Sequence, residues 1–142
     1  MIDIALDVQL PRQLRAVGHL RRTVRSLCVE MGVASDDVDA LVLATSEACN
    51  NIILHADLDD TFEVRFRLRG HTARIEVVNE NTPFLDLEQQ ATDPLSESGR
   101  GLQIMRHLCD EARFTTSGEG GTLVEMVRRV QATEGSLLDG PG

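Results

Sequence analysis

The sequence predicts an α+β domain, and three observations carry that prediction. Residues 38–56, VDALVLATSEACNNIILHA, place apolar side chains at helical spacing. Residues 62–77 instead alternate apolar with polar residues on either side of a glycine-containing turn, and residues 113–117 and 122–129 flank a second turn at Gly118, Gly120 and Gly121, as antiparallel hairpins do. The length of 142 residues suits one core rather than two. A single domain over residues 1–130 is expected, followed by a polar, flexible tail over 131–142.

Residues 2–8 alternate Ile2, Ile4, Leu6 and Val8 with Asp3, Ala5 and Asp7, as a half-buried strand does. As the first strand it is expected at a sheet edge, either open to a second copy in a homodimer or protected by its aspartates. Pro11 suits the first turn of a helix along which Leu14, Val17, Leu20, Val24, Leu27, Cys28 and Met31 recur, with Gly32 as its cap. The outer face of that helix is basic, carrying Arg12, Arg15, Arg21, Arg22 and Arg25 against the single acid Glu30. On an acidic chain such a face either is simply solvated or steers an acidic partner to one place.

Ser35 followed by Asp36 and Asp37 caps the central helix. Its stripe of Val38, Leu41, Val42, Ala44, Thr45, Ala48 and Ile52 is wide enough to bury against a sheet. Glu47, Asn51 and His55 recur every four residues on another line of the same helix. A hairpin follows, with Phe62, Val64, Phe66 and Leu68 on one side of Gly70 and Ala73, Ile75 and Val77 on the other. The acidic, aperiodic stretch from there to Ser98 is expected to be a lid. Gly99 and Gly101 are expected just before a short helix with Leu102, Met105 and Leu108 facing inward, where backbone N–H groups can approach an anion. Residues 113–117 and 122–129 complete the chain as a second hairpin.

Composition narrows the function. The net charge of −9 and an aromatic content of 3%, without Trp or Tyr, argue against direct nucleic-acid binding. All basic residues are Arg, which excludes a lysine-bearing phosphate loop. Cys28, Cys49 and Cys109 suggest neither a disulfide framework nor a zinc site, but buried thiols in a reducing compartment. With no apolar run of membrane-spanning length and acids where a signal peptide needs positive charge, a cytoplasmic protein is expected. A carboxylate, a carboxamide and a phosphate cradle in one chain point to a nucleotide site.

These motifs resemble a known family. E-A-C-N-N-I-I-L-H-A at 47–56 is similar to the N-box of the GHKL ATPase superfamily, S-G-R-G-L-Q-I-M at 98–105 to its second glycine box, and Gly121-Thr122 to its late Gly-Thr. Within the superfamily the form of these boxes is similar to that of the anti-sigma-factor serine/threonine kinases. The resemblance implies a two-layer α/β sandwich of the GHKL type, a mostly antiparallel mixed sheet covered on one face by three helices, binding ATP and Mg2+. It implies Asn51 as the magnesium ligand and Glu47 as the general base. Nucleotide contacts would come from Asn79, Asn81, Gly99, Arg100, Gly101, Leu102 and Thr122. It also implies two partners, a sigma factor and an antagonist protein with a phosphorylatable Ser or Thr, with Arg21 on the partner surface and His55 structural.

One box departs from the pattern. Where the family has Asp-x-Gly, this chain reads Asn79-Glu80-Asn81, which removes a charge from the adenine contact and adds a side chain beside it. A kinase that is also an anti-sigma factor is therefore read beside a nucleotide-poor regulator acting by protein binding alone. A detached histidine-kinase catalytic domain is the weakest of the three readings.

Overall fold

The computed structural model of the protein describes residues 1–55, 61–79, 97–116 and 122–140. Along the chain come β1 (Asp3–Pro11), α1 (Leu14–Met31), α2 (Ser35–His55), β2 (Thr61–Arg69), β3 (Thr72–Asn79), α3 (Glu97–Leu108), β4 (Glu111–Thr116) and β5 (Thr122–Arg129). The expected lid lies almost wholly outside the described residues.

The sheet has the order β1-β2-β3-β5-β4, with β1 at one edge as expected. Expected to be mostly antiparallel, it is antiparallel in every described ladder. The alternation in β2 and β3 puts Phe62, Val64, Phe66, Leu68, Ala73, Ile75 and Val77 into the core. Across the β2–β3 ladder Phe66 stands opposite Ile75 and Leu68 opposite Ala73. Ion pairs mark the other face, among them Arg67–Asp3 at 2.9 Å and Arg74–Glu125 at 2.8 Å. The Arg67 guanidinium hydrogen-bonds Asp3 and holds its carboxyl below the usual range, as Arg65 does for Glu63. Each buried Phe, Leu or Ile contributes roughly 1.5–3 kcal/mol relative to exposure, whereas exposed pairs add little. Burial therefore decides which face of the sheet turns inward.

The predicted stripe of α2 is buried throughout, and Leu102 and Met105 of α3 join the same core. In α1 the buried residues are Ala16, Val17, Leu20, Val24 and Cys28. Leu14, expected on that stripe, is 63% exposed. The reason is that Pro11 does not open the helix. It ends β1, paired with Thr61, and an edge strand tolerates its missing N–H. The helix starts three residues later with Gln13 as N-cap, and its first turn buries Ala16 and Val17 instead of Leu14.

The expected flexible tail is also corrected up to Gly140. Ala132 bridges to Val33, the Thr133 N–H donates to the Gly32 carbonyl at 2.7 Å, and the Leu138 N–H donates to the Met31 carbonyl at 3.0 Å. Leu138 closes the core at the end of α1, an apolar anchor that outweighs the polarity of its neighbours. Gly32 permits this path. Its φ is +91°, and a β-carbon there would stand 2.0 Å from Cβ of Ser136.

Candidate functional site

Glu47 and Asn51 sit one turn apart on α2, and α3 crosses them. Gly101 is the point of contact. A β-carbon at Gly101 would lie 2.8 Å from Oε2 of Glu47, 3.3 Å from Nδ2 of Asn51 and 3.7 Å from its Oδ1. The glycine thus allows the backbone of α3 to rest directly on the two side chains. Asn51, on the polar line of α2, is 3% exposed because α3 covers it. Its Nδ2 is buried with no hydrogen-bond partner among the described residues. Leaving a buried donor unmatched costs roughly 1–3 kcal/mol.

The glycines do not precede α3 as expected, because α3 begins at Glu97 and takes both into its first turns. The unsatisfied N–H groups of a helix are its first four, here those of residues 97–100, at its positive end. Gly99 supplies one of those N–H groups, whereas Gly101 serves close approach. Leu102 has its side chain fully buried in the core, so only its backbone remains for a ligand. Asn79 ends β3, is 1% exposed, and stands opposite Thr122 at the start of β5. The sheet thereby brings two of the expected nucleotide contacts side by side. Asn81 and the side chains of His55, Arg100 and Thr122 lie outside the described residues.

On the basic helix the structure gathers three of the five arginines. Arg21, Arg22 and Arg25, with Gly18 and Val42, line a cleft of about 190 Å³ between α1 and α2. Arg25 pairs with Asp39 at 2.9 Å and Arg22 Nη2 lies 3.0 Å from His19 Nδ1. Arg21 has no acidic partner among the described residues. Arg12 and Arg15 are not in the cleft lining. Arg15 Nε donates to Gln13 Oε1 at 2.8 Å, and Arg12 has a buried Nη1.

Sequence reasoning missed an ion pair. Asp37, read only as a first-turn acid, is buried and accepts from Arg128 of β5 at 2.8 Å. No local pattern announces a pair 91 residues apart. Of the cysteines expected as buried free thiols, Cys28 and Cys49 are buried and Cys109 is half-buried; burial pushes Cys28 and Cys109 up to about 11 and Cys49 up to about 12, away from thiolate chemistry.

Residues 10–128 match the histidine kinase-like ATPase domain family. The chain belongs to that family. Its relatives include the serine-protein kinase RsbW of Bacillus subtilis, 33% identical over 87% of this chain and 84% of that one. RsbW of Bacillus licheniformis is 30% identical over 94% and 92%. The fold is shared with the RsbU and RsbW domains of a Mycobacterium tuberculosis protein, at a TM-score of 0.71 and 24% identity over 92% of this chain and 34% of that one. SiaB–SiaC of Pseudomonas aeruginosa includes a chain that superposes with a TM-score of 0.69 and 12% identity, over 86% and 88%. The family implies a bound nucleotide, and two features of this chain fit one. The Gly101 contact seats Glu47 and Asn51 against the first turns of α3, and Asn51 offers a hard oxygen donor there. Among the described residues no cluster of three or more His, Cys, Asp or Glu is disposed for a metal.

Proposed function

We propose that the protein is an ATP-dependent serine/threonine protein kinase that also acts as an anti-sigma factor, binding a sigma factor and phosphorylating an antagonist protein. The observation that supports this reading most strongly is the seating of Gly101 against Glu47 and Asn51, which joins the two boxes into one site. Glu47 is the general base. It takes the proton of a partner serine or threonine hydroxyl as that oxygen attacks the γ-phosphate and the bond to ADP breaks. Asn51 holds Mg2+ through its side-chain oxygen, and the N–H groups at the start of α3 hold phosphate oxygens. Bound Mg2+ neutralises phosphate charge. Asn79 and Asn81 lie on the adenine side, and Arg100 and Thr122 on the phosphate side.

The arginine cleft is the partner surface. Its three guanidinium groups stand out on an otherwise acidic chain and suit a carboxylate-rich partner. Arg21→Glu is expected to weaken sigma-factor binding at least tenfold in a titration while thermal stability stays within a few degrees; wild-type affinity would reject this surface. The outer edge of β1 suits a homodimer. No described helix is long and apolar enough to cross a membrane, and we place the protein in the cytoplasm, without direct contact to nucleic acid.

The second reading, a nucleotide-poor regulator, is favoured by Asn79, a neutral residue buried where the adenine contact calls for a charge, and by Asn81, which carries a side chain where the family has glycine. Calorimetric titration with Mg-ATP and Mg-ADP separates the two. Micromolar binding supports the kinase, and no heat up to millimolar nucleotide supports the regulator. Asn79→Asp is expected to tighten ATP binding about fivefold, corresponding to ~1 kcal/mol for a charge-assisted bond. Unchanged or weaker binding would remove Asn79 from the adenine contact.

A further inference from the structure

Arg128 ties together the two helices of the site at their far ends. From Nε and Nη2 it donates to Oδ1 of Asp37, in the first turn of α2, at 3.1 and 2.8 Å. From Nη1 it donates to the carbonyl oxygen of Leu108, the last residue of α3. The other carboxylate oxygen of Asp37 accepts the N–H of Gln131 at 2.8 Å, so both oxygens are engaged. The Asp37 side chain is 10% exposed and that of Arg128 25%. The fork therefore works in a mostly dry setting, where a charge-assisted bond is strong.

The chemistry lies at the opposite ends of the same helices. At 1.5 Å per residue, Glu47 and Asn51 stand about 15 and 21 Å beyond Asp37 along α2, and Gly101 about 10 Å back from Leu108 along α3. A glycine contact limits how closely α3 can approach but has no side chain to stop it sliding. Along its axis α3 is held by the packing of Leu102 and Met105, by the Asp110 N–H donating to the Val127 carbonyl at 2.8 Å just beyond its end, and by Arg128 at the Leu108 carbonyl. Its positive charge also suits the negative C-terminal end of α3.

We propose that Arg128 is a positioning residue for the kinase reaction. By gripping α2 and α3 at their far ends, it sets where Gly101 and the first-turn N–H groups of α3 stand relative to Glu47 and Asn51. This rests on the kinase reading of the site. The test compares Arg128→Met, which removes every donor, with Arg128→Lys, which can hold Asp37 but lacks the fork. Val24→Ala, a core change in α1, is the control for loss of stability alone.

Two readouts are taken below each variant's melting temperature: the 1H–15N resonances of the Gly101 amide and the Asn51 side-chain amide without nucleotide, and kcat and KM for phosphotransfer. Arg128→Met is expected to shift both resonances and lower kcat at least tenfold, and Arg128→Lys to shift them less and recover part of the rate. Val24→Ala is expected to leave resonances and kcat unchanged. Wild-type resonances and kcat in Arg128→Met overturn the proposal, as does an equal loss in Val24→Ala. Should Arg128→Met fail to fold, Arg128→Lys carries the comparison, and wild-type values there overturn it. A wild-type protein that neither binds Mg-ATP nor transfers phosphate would sink the kinase reading, while the resonances still decide whether Arg128 sets the geometry.

Discussion

Glu47→Gln is expected to bind Mg-ATP within about threefold of wild type and to transfer phosphate roughly 10²–10⁴-fold more slowly, the usual contribution of a positioned general base. Glutamine keeps the length and volume of the side chain against Gly101, so the packing between α2 and α3 is conserved. It cannot accept a proton, and nothing else in the contact at Gly101 can: Asn51 is an amide and Gly101 is backbone. Single-turnover transfer to the antagonist, with ATP affinity measured on the same preparation, separates the two effects. Transfer at the wild-type rate would dismiss Glu47 as the base. Loss of ATP binding together with transfer would make it a binding residue instead.

Gly101→Ala opposes two effects of different sign. Within a helix, alanine is favoured over glycine by about 0.8–1 kcal/mol. Against that, the new β-carbon would lie 2.8 Å from Oε2 of Glu47. The atom it meets is the end of a flexible side chain, so the carboxylate turns aside and the helix stays in place. The fold is therefore expected to be as stable as wild type or slightly more so, while phosphotransfer falls about 100-fold, as a displacement of the order of 1 Å at a reacting group can cause. Thermal denaturation and phosphotransfer on one sample make the comparison. Undiminished transfer would mean that the carboxylate works from a position other than the one seen here. A large loss of stability would mean that the backbone, and not the side chain, gives way.

Several features were legible along the chain because their signals are local. The helical period and the burial of the α2 stripe and the two hairpins follow from side-chain spacing and turn residues within short stretches, and the edge position of β1 from its being the first strand. The pairing of Glu47 with Asn51 follows from one turn of helix, and the three boxes in order were enough to indicate the family to which the chain belongs. Where local rules failed, two local signals competed. Pro11 fits both the end of an edge strand and the start of a helix, and its pairing with Thr61 decided for the strand. The polar segment after Val130 reads as frayed, yet Leu138 reaches the core.

Tertiary structure alone decided how the pieces meet. Gly101 could be read as a flexible residue near a helix start; only the crossing of α3 over α2 shows it to be a gap that admits one backbone against two side chains. The five arginines between Leu10 and Met31 look alike in sequence, and the packing of α2 beside α1 selects Arg21, Arg22 and Arg25 for one cleft. Asp37 and Arg128, 91 residues apart, carry no pattern that links them, because an ion pair depends on where two elements end in space and not on the residues between. Periodicity records which face of each element leaves water. It says nothing of the register in which those faces come together, and the geometry of the site resides in that register.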